Sequence, residues 1–221
     1  MKKGLTELVF ILDRSGSMGG LESDTIGGYN SLIEKQKQEP GLATVTTVLF
    51  DDQYELLHDR APLTGIAGMT DKQYFVRGST ALLDAIGRTV TKIENAHKNV
   101  IGSELPENTL IVITTDGMEN ASREYTYDRV KQLVERQKEK GWEFLFLGAN
   151  MDAIGTARRF GIDADRAATY SSDSAGTRVN YEAINDAVKC VRSCAPMNAS
   201  WKASIDRDQE RRKREHNNGA K

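Results

Sequence analysis

The chain has 221 residues, 38% of them hydrophobic and 28% charged, which suits one sizeable α/β domain able to bury a core without staples. Its 30 lysines and arginines stand against 32 aspartates and glutamates, a formal net charge of −2, so nothing electrostatic calls for nucleic acid or an anionic membrane as partner. No stretch approaches the ~20 apolar residues of a spanning helix, so no membrane-embedded role is expected.

The segment MKKGLTELVFILDRSGS has two lysines and then an apolar run from Leu8 to Leu12, interrupted at once by Asp13 and Arg14. An export signal needs about 7–15 apolar residues and a small-residue cleavage site, so a cytoplasmic protein is expected. Cys190 and Cys194 stand in C-x-x-x-C spacing, and His58, His97 and His216 are scattered. Neither arrangement is that of a zinc or redox site, and reduced thiols are expected.

Glu7–Asp13 is a short apolar run closed by a polar loop, the pattern of a central buried strand. Arg14–Asp24 is rich in Gly and Ser. Helical periodicity from about Thr25 to Gln38 puts Ile26, Tyr29, Leu32 and Ile33 on one face, and Pro40-Gly41 stops it. Ala43–Phe50 reads as a second strand, Asp51-Asp52-Gln53 as a turn, and Tyr54–Asp59 as the returning strand of a hairpin. Pro62–Gly78 is irregular apart from a helical turn over Asp71–Tyr74, and an amphipathic helix follows with Leu82, Leu83, Ile86, Val90 and Ile93 inward. Asn99–Asn108 reads as loop and Thr109–Thr115 as another apolar strand. Tyr127–Lys140 is a charged helix with Val130, Leu133 and Val134 inward, and Trp142–Leu147 is the fifth strand. Asp152–Phe160 is a short helix, Ala167–Tyr170 the sixth strand, and Arg178–Val191 the last helix.

Strands alternating with helices predict a three-layer, doubly wound α/β fold. Its central sheet has about six mostly parallel strands, with one antiparallel edge strand from the hairpin. Past Pro196 the composition changes, and residues 206–221 hold one apolar residue, Ala220. The domain is therefore expected over residues 1–196, with 197–221 a charged, solvated extension or tail. Docking of the basic run Arg211–Arg214 on an acidic surface is the alternative.

In such a sheet ligands sit at the carboxyl ends of the central strands. After the first strand comes Asp13-Arg14-Ser15-Gly16-Ser17, after the Thr109–Thr115 strand comes Asp116-Gly117, and the connection between them delivers Gly78-Ser79-Thr80 to a helix start. Asp13, Ser15, Ser17, Thr80 and Asp116 thus offer two carboxylates and three hydroxyls. An all-oxygen set of low charge suits Mg2+, with Mn2+ or Ca2+ as substitutes, and lacks the thiolates and imidazoles of softer metals. Gly16 lets the first loop curl so that residues 13, 15 and 17 face one point.

These residues resemble the metal-ion-dependent adhesion site of the von Willebrand factor A family: Asp-x-Ser-x-Ser after the first strand, a Thr from a later loop, and an Asp after the fourth strand. The resemblance spans roughly residues 5 to 195. It implies a vWA/Rossmann-like fold and direct coordination by Ser15 and Ser17, with Asp13 acting mainly through water. Thr80 and Asp116 would exchange between direct and water-mediated contact, and a partner protein's Asp or Glu carboxylate would fill the remaining position. By the same resemblance, a scaffold role like that of bacterial and phage-like relatives, with an ATPase or multi-protein complex as partner, is expected, and the last helix would respond to the metal.

Weaker candidates surround this set. Asp51 and Asp52 suit a hairpin turn, an acidic rim or second cation being the alternative. Met18, Met69 and Met118 fall in the three loops and could form an apolar collar. Glu119 and Asn120 could tune the rim or cap the next helix. A Mg2+-dependent phosphohydrolase of the haloacid dehalogenase type would need an acid where Ser15 stands. A P-loop and the G-x-G-x-x-G dinucleotide fingerprint are both missing from the sequence, so a binding module is expected and not an enzyme.

Overall fold

The computed structural model describes residues 1–219. Six strands form one sheet: β1 (Lys2–Asp13), β2 (Leu42–Phe50), β3 (Tyr54–Pro62), β4 (Pro106–Thr115), β5 (Trp142–Ala149) and β6 (Ala167–Tyr170). The spatial order is β3-β2-β1-β4-β5-β6, with β3 antiparallel to β2 and every other pairing parallel. The doubly wound architecture, the strand number and the antiparallel edge are as predicted.

Six α-helices accompany the sheet: α1 (Glu22–Lys37), α2 (Leu82–Lys98), α3 (Tyr127–Lys138), α4 (Ala153–Arg159), α5 (Ser174–Arg192) and α6 (Ala203–Gly219). Alternate residues of each central strand serve opposite faces. Leu8, Phe10 and Leu12 of β1 join Leu110 and Val112 of β4 in the layer under α1 and α5. Val9, Ile11, Ile111 and Ile113 join the layer under α2, α3 and α4. Both faces are covered, which is why β1 and β4 read as unbroken apolar runs and not as alternating ones.

The structure corrects several boundaries. β1 begins at Lys2, five residues before the predicted start, because a register irregularity between Lys2 and Thr6 lets the polar segment around Gly4, at φ +71°, stay paired with β4. β4 begins at Pro106, inside the predicted loop. α5 begins at Ser174, where the Asp173 side chain caps the Gly176 N–H.

The largest correction concerns residues 197–219. Trp201 and Ile205 are buried in the layer under α5, and Trp201 Nε1 donates to Asp165 O at 2.9 Å. Lys202 Nζ donates to Ala164 O and Ala167 O at 2.8 and 2.7 Å. Packing therefore continues past 196, and α6 follows the helix predicted to be last. Few apolar anchors suffice because the charges of α6 pair locally: Arg211 with Asp208 and Glu215, Arg212 with Asp208 and Asp173. The basic run is thus largely neutralised and offers little for an acidic surface. Residues 220–221 of the predicted tail lie outside the described residues. Among those described, no helix is long and apolar enough to cross a membrane.

Candidate metal centre

The chain winds outward from β1 in both directions, so the carboxyl ends of β1 and β4 flank the topological switch point where such sheets open a crevice. Asp13 is the last residue of β1, and Asp116 follows the last residue of β4. The Asp13 carboxylate is 1% exposed. It accepts the Ser15 N–H at 2.7 Å and the Thr115 hydroxyl at 2.5 Å, and Tyr74 Oη donates to its backbone carbonyl at 2.6 Å. Ser15 Oγ lies 3.1 Å from Ser17 Oγ and accepts the Thr80 hydroxyl at 2.9 Å. Four of the five predicted residues thus form one hydrogen-bonded cluster drawn from two distant loops.

Asp116, the fifth, is not hydrogen-bonded to this cluster. Its Oδ2 accepts the Ser172 hydroxyl at 2.5 Å, which turns it toward the end of β6. It is near enough to Asp13 for the two charges to act on each other. Next to it, Gly117 packs so tightly on Thr80 that a Cβ there would collide with the threonine hydroxyl. Burial raises the Asp13 carboxyl above its usual range, while the Thr115 and Ser15 hydrogen bonds restrain the rise. Burial also raises Asp116, Ser172 opposes this, and the Asp13 charge adds to it.

The donor chemistry fits a hard dication. Two neighbouring carboxylates gain from a shared positive charge, and no arginine or lysine bonds to either among the described residues. Arg14, between Asp13 and Ser15 in sequence, is fully buried on the other side of the loop. Its guanidinium meets Asp51 Oδ2 at 3.1 Å and Glu55 Oε2 at 2.7 Å. No group of three or more His, Cys, Asp or Glu side chains gathers among the described residues; a set of two carboxylates and three hydroxyls is outside that description. Thr80, Ser15 and Ser17 supply the neutral oxygens that Mg2+ accepts beside its waters.

The second-cation alternative for Asp51 fails. Asp51 Oδ2 is taken by Arg14 and by Arg77 Nε at 2.6 Å, and Oδ1 accepts the Gln53 N–H. The methionine collar does not form either, since Met18 and Met69 are buried core and only Met118 is exposed. Glu119 and Asn120 cap backwards, not forwards. Glu119 accepts the Leu83 N–H at the start of α2 and Asn120 Oδ1 accepts the Thr80 N–H, while α3 is capped by Thr126.

Solved structures with the same strand and helix arrangement place the fold. Proximal thread matrix protein 1 from the mussel byssus, with a zinc-occupied MIDAS motif, superposes with a TM-score of 0.57 at 15% identity, over 84% of this chain and 46% of that one. Manganese-loaded TRAP of Plasmodium vivax gives 0.52 at 15%, over 81% and 73%. The vWF domain of the type V pili tip protein Mfa5 of Porphyromonas gingivalis gives 0.56 at 11%, over 81% and 95%. The fold is a von Willebrand factor A fold. The chain spans less than half the length of the mussel protein. No protein-family model matches the sequence, and no curated protein matches it.

Within this A-type fold, the residues that sequence reasoning missed are those that hold the loops together. Asp84, buried near the start of α2, accepts the backbone N–H groups of Arg123, Glu124 and Tyr125 at 2.8–2.9 Å. The Thr80 carbonyl accepts Asn120 N and Ala121 N. The loop carrying Asp116 is therefore stapled to the loop carrying Thr80. One signal was available for Asp84: a carboxylate between Leu83 and Ala85 on a helix face that is otherwise apolar. Thr115, Tyr74 and Ser172 left none.

Proposed function

We propose that this chain is a divalent-cation-dependent protein-interaction module, not an enzyme, in which Asp13, Ser15, Ser17, Thr80 and Asp116 hold Mg2+. A bound dication would supply a Lewis-acidic point for an Asp or Glu carboxylate of a partner protein. The observation that carries the reading is the convergence of three hydroxyls and a buried carboxylate at the switch point, linked through the Ser15 N–H and hydroxyl by hydrogen bonds of 2.7–3.1 Å. With three of the five protein oxygens being neutral hydroxyls, the ion would keep waters in its shell that an incoming carboxylate could replace. Arg14 does not reach toward such a ligand, because Asp51 and Glu55 hold its guanidinium. The zinc- and manganese-bearing neighbours support a divalent ion in general, and the pilus tip neighbour supports a protein partner in general. A cytoplasmic setting and an ATPase or multi-protein complex as partner belong to the same proposal.

Thermal unfolding in Mg2+ or Mn2+ against chelator tests it. Metal at 100 times its dissociation constant stabilises by about 2.7 kcal/mol, a rise of roughly 5–10 °C for a domain of this size. Asp13→Ala should abolish the rise and the Mg2+-dependent capture of an acidic partner. No metal-dependent shift in the wild type would sink the reading. Mg2+-dependent turnover of a generic phosphate ester, lost in Asp13→Ala, would replace it with the phosphohydrolase.

A further inference from the structure

Asp116 and the C-terminal helix α6 meet through the loop after β6. Ser172 stands in that loop, and its hydroxyl donates to Asp116 Oδ2 at 2.5 Å. Both chain neighbours of Ser172 are gripped by α6. Gln209 Nε2 donates to Ser171 Oγ at 2.9 Å, and the Arg212 guanidinium takes both oxygens of Asp173 at 2.5 and 3.0 Å. Arg212 is oriented in turn by Asp208, Nε to Oδ2 at 2.6 Å, and buried Trp201 and Ile205 anchor the start of the helix. From the end of β5, Asn150 Oδ1 accepts the Ser172 N–H at 3.2 Å. Ser172 is thus fixed independently of Asp116. Because β5 stands between β4 and β6, a bond from the β6 loop draws the Asp116 carboxylate away from β1, where Asp13, Ser15 and Ser17 cluster.

We infer that Ser172 is a positioning residue for Asp116: its hydroxyl competes with a divalent ion for that carboxylate, and α6 holds the hydroxyl in place. The inference rests on the metal site proposed above. A hydrogen bond to a charged acceptor is stronger than one between neutral groups. An ion drawing on Asp116 therefore has to displace it, and binds less tightly than the five side chains would otherwise allow. The other four residues carry no such tether, since Asp13, Ser15, Ser17 and Thr80 are already joined at one point. Loosening α6 frees the loop and raises the affinity. The extension that composition marks as solvated thereby tunes the site from its far side.

Calorimetric titration of the metal-free protein with Mn2+ tests this, in 0.15 M KCl, where exposed charges are screened beyond about 8 Å. Ser172→Ala should tighten Mn2+ binding by about threefold or more, while its melting temperature in chelator stays level or falls. A residue with a merely structural role would not move the two readouts in that way. Ser172→Thr keeps a hydroxyl and should bind as the wild type does. Gln209→Ala with Arg212→Ala should tighten binding too. Arg214→Ala removes the same charge from α6, where it pairs with Glu210 at 3.7 Å, and should change nothing. Binding by Ser172→Ala equal to or weaker than wild type, or a Thr variant as tight as the Ala one, would overturn the inference and leave the metal site standing. Tightening by Ser172→Ala alone, without the α6 pair, would overturn the part given to α6. A wild type that takes up no Mn2+ would overturn both this inference and the site it rests on.

Discussion

Asp84 offers the most graded test of how the fold holds together the loops carrying Thr80 and Asp116. Its Oδ1 accepts Glu124 N and Tyr125 N, and its Oδ2 accepts Arg123 N. Hydrogen bonds to a charged acceptor contribute about 1.5–3 kcal/mol each, and a buried donor left unpaired costs about 1–3. Three bonds sharing one carboxylate do not add, which places Asp84→Ala at about 3–5 kcal/mol, the upper range of single substitutions. Asp84→Asn is a different perturbation. Its carbonyl can keep Glu124 and Tyr125, while its NH2 faces the Arg123 N–H donor to donor, so the loss should be about 1–3 kcal/mol. Urea unfolding in chelator reads both values from the midpoint at constant slope. Repeating it in Mg2+ should show the metal-dependent gain shrinking in the same order, since the stapled loop carries Asp116. Losses below about 1 kcal/mol in both variants, or a larger loss in Asn than in Ala, would refute the staple.

Gly117→Ala drives a methyl into the Thr80 hydroxyl. It should cost about 1–3 kcal/mol and erase most of the metal-dependent rise in melting temperature, whereas an intact rise would show that Thr80 does not serve the ion. Trp201→Ala should cost about 3–5 kcal/mol, because the indole is core and not tail; near-neutrality would restore the boundary at 196. Burial pushes the Glu94 carboxyl up, but Lys140, Gln137 and Arg136 outweigh it and bring it down to about 2 from 4.5. A depressed value means stability that is fully present above about pH 4.5 and lost as pH falls toward 2. The ceiling is about 3 kcal/mol, and solvent around the half-exposed Lys140 and Arg136 reduces it to roughly 1. Glu94→Gln should flatten that acid limb in pH-dependent unfolding; an unchanged limb counts against the pairing.

What was legible in the sequence follows from range. β1 and β4 showed as apolar runs because a strand buried on both faces has no other pattern, and Asp13 and Asp116 were placed by standing at their ends. α2 was legible because Leu82, Leu83, Ile86, Val90 and Ile93 repeat within the helix itself. The burial of α6 was hidden because Trp201 and Ile205 are isolated among charges, and their burial depends on a surface contributed from elsewhere in the chain. The site's supports were hidden for the same reason: Asp84 meets its donors about forty residues away, and Thr115 meets Asp13 across 102. Arg14 is the most instructive case. Directly after the strand, alternation sends Ser15 to the same side as Asp13 and Arg14 to the other, where Asp51 and Glu55 meet it and Arg77 shares Asp51. Two positive and two negative groups cancel, so the network adds no net charge beneath the Asp13 loop. Burying it costs desolvation that the ion pairs only partly repay, and an apolar residue at position 14 would give up less. What the apolar residue could not do is tie the loop from beneath to its neighbours, as the guanidinium does through Asp51, Glu55 and the Gln73 carbonyl. The cluster therefore acts on geometry, fixing from beneath the loop in which Ser15 and Ser17 stand.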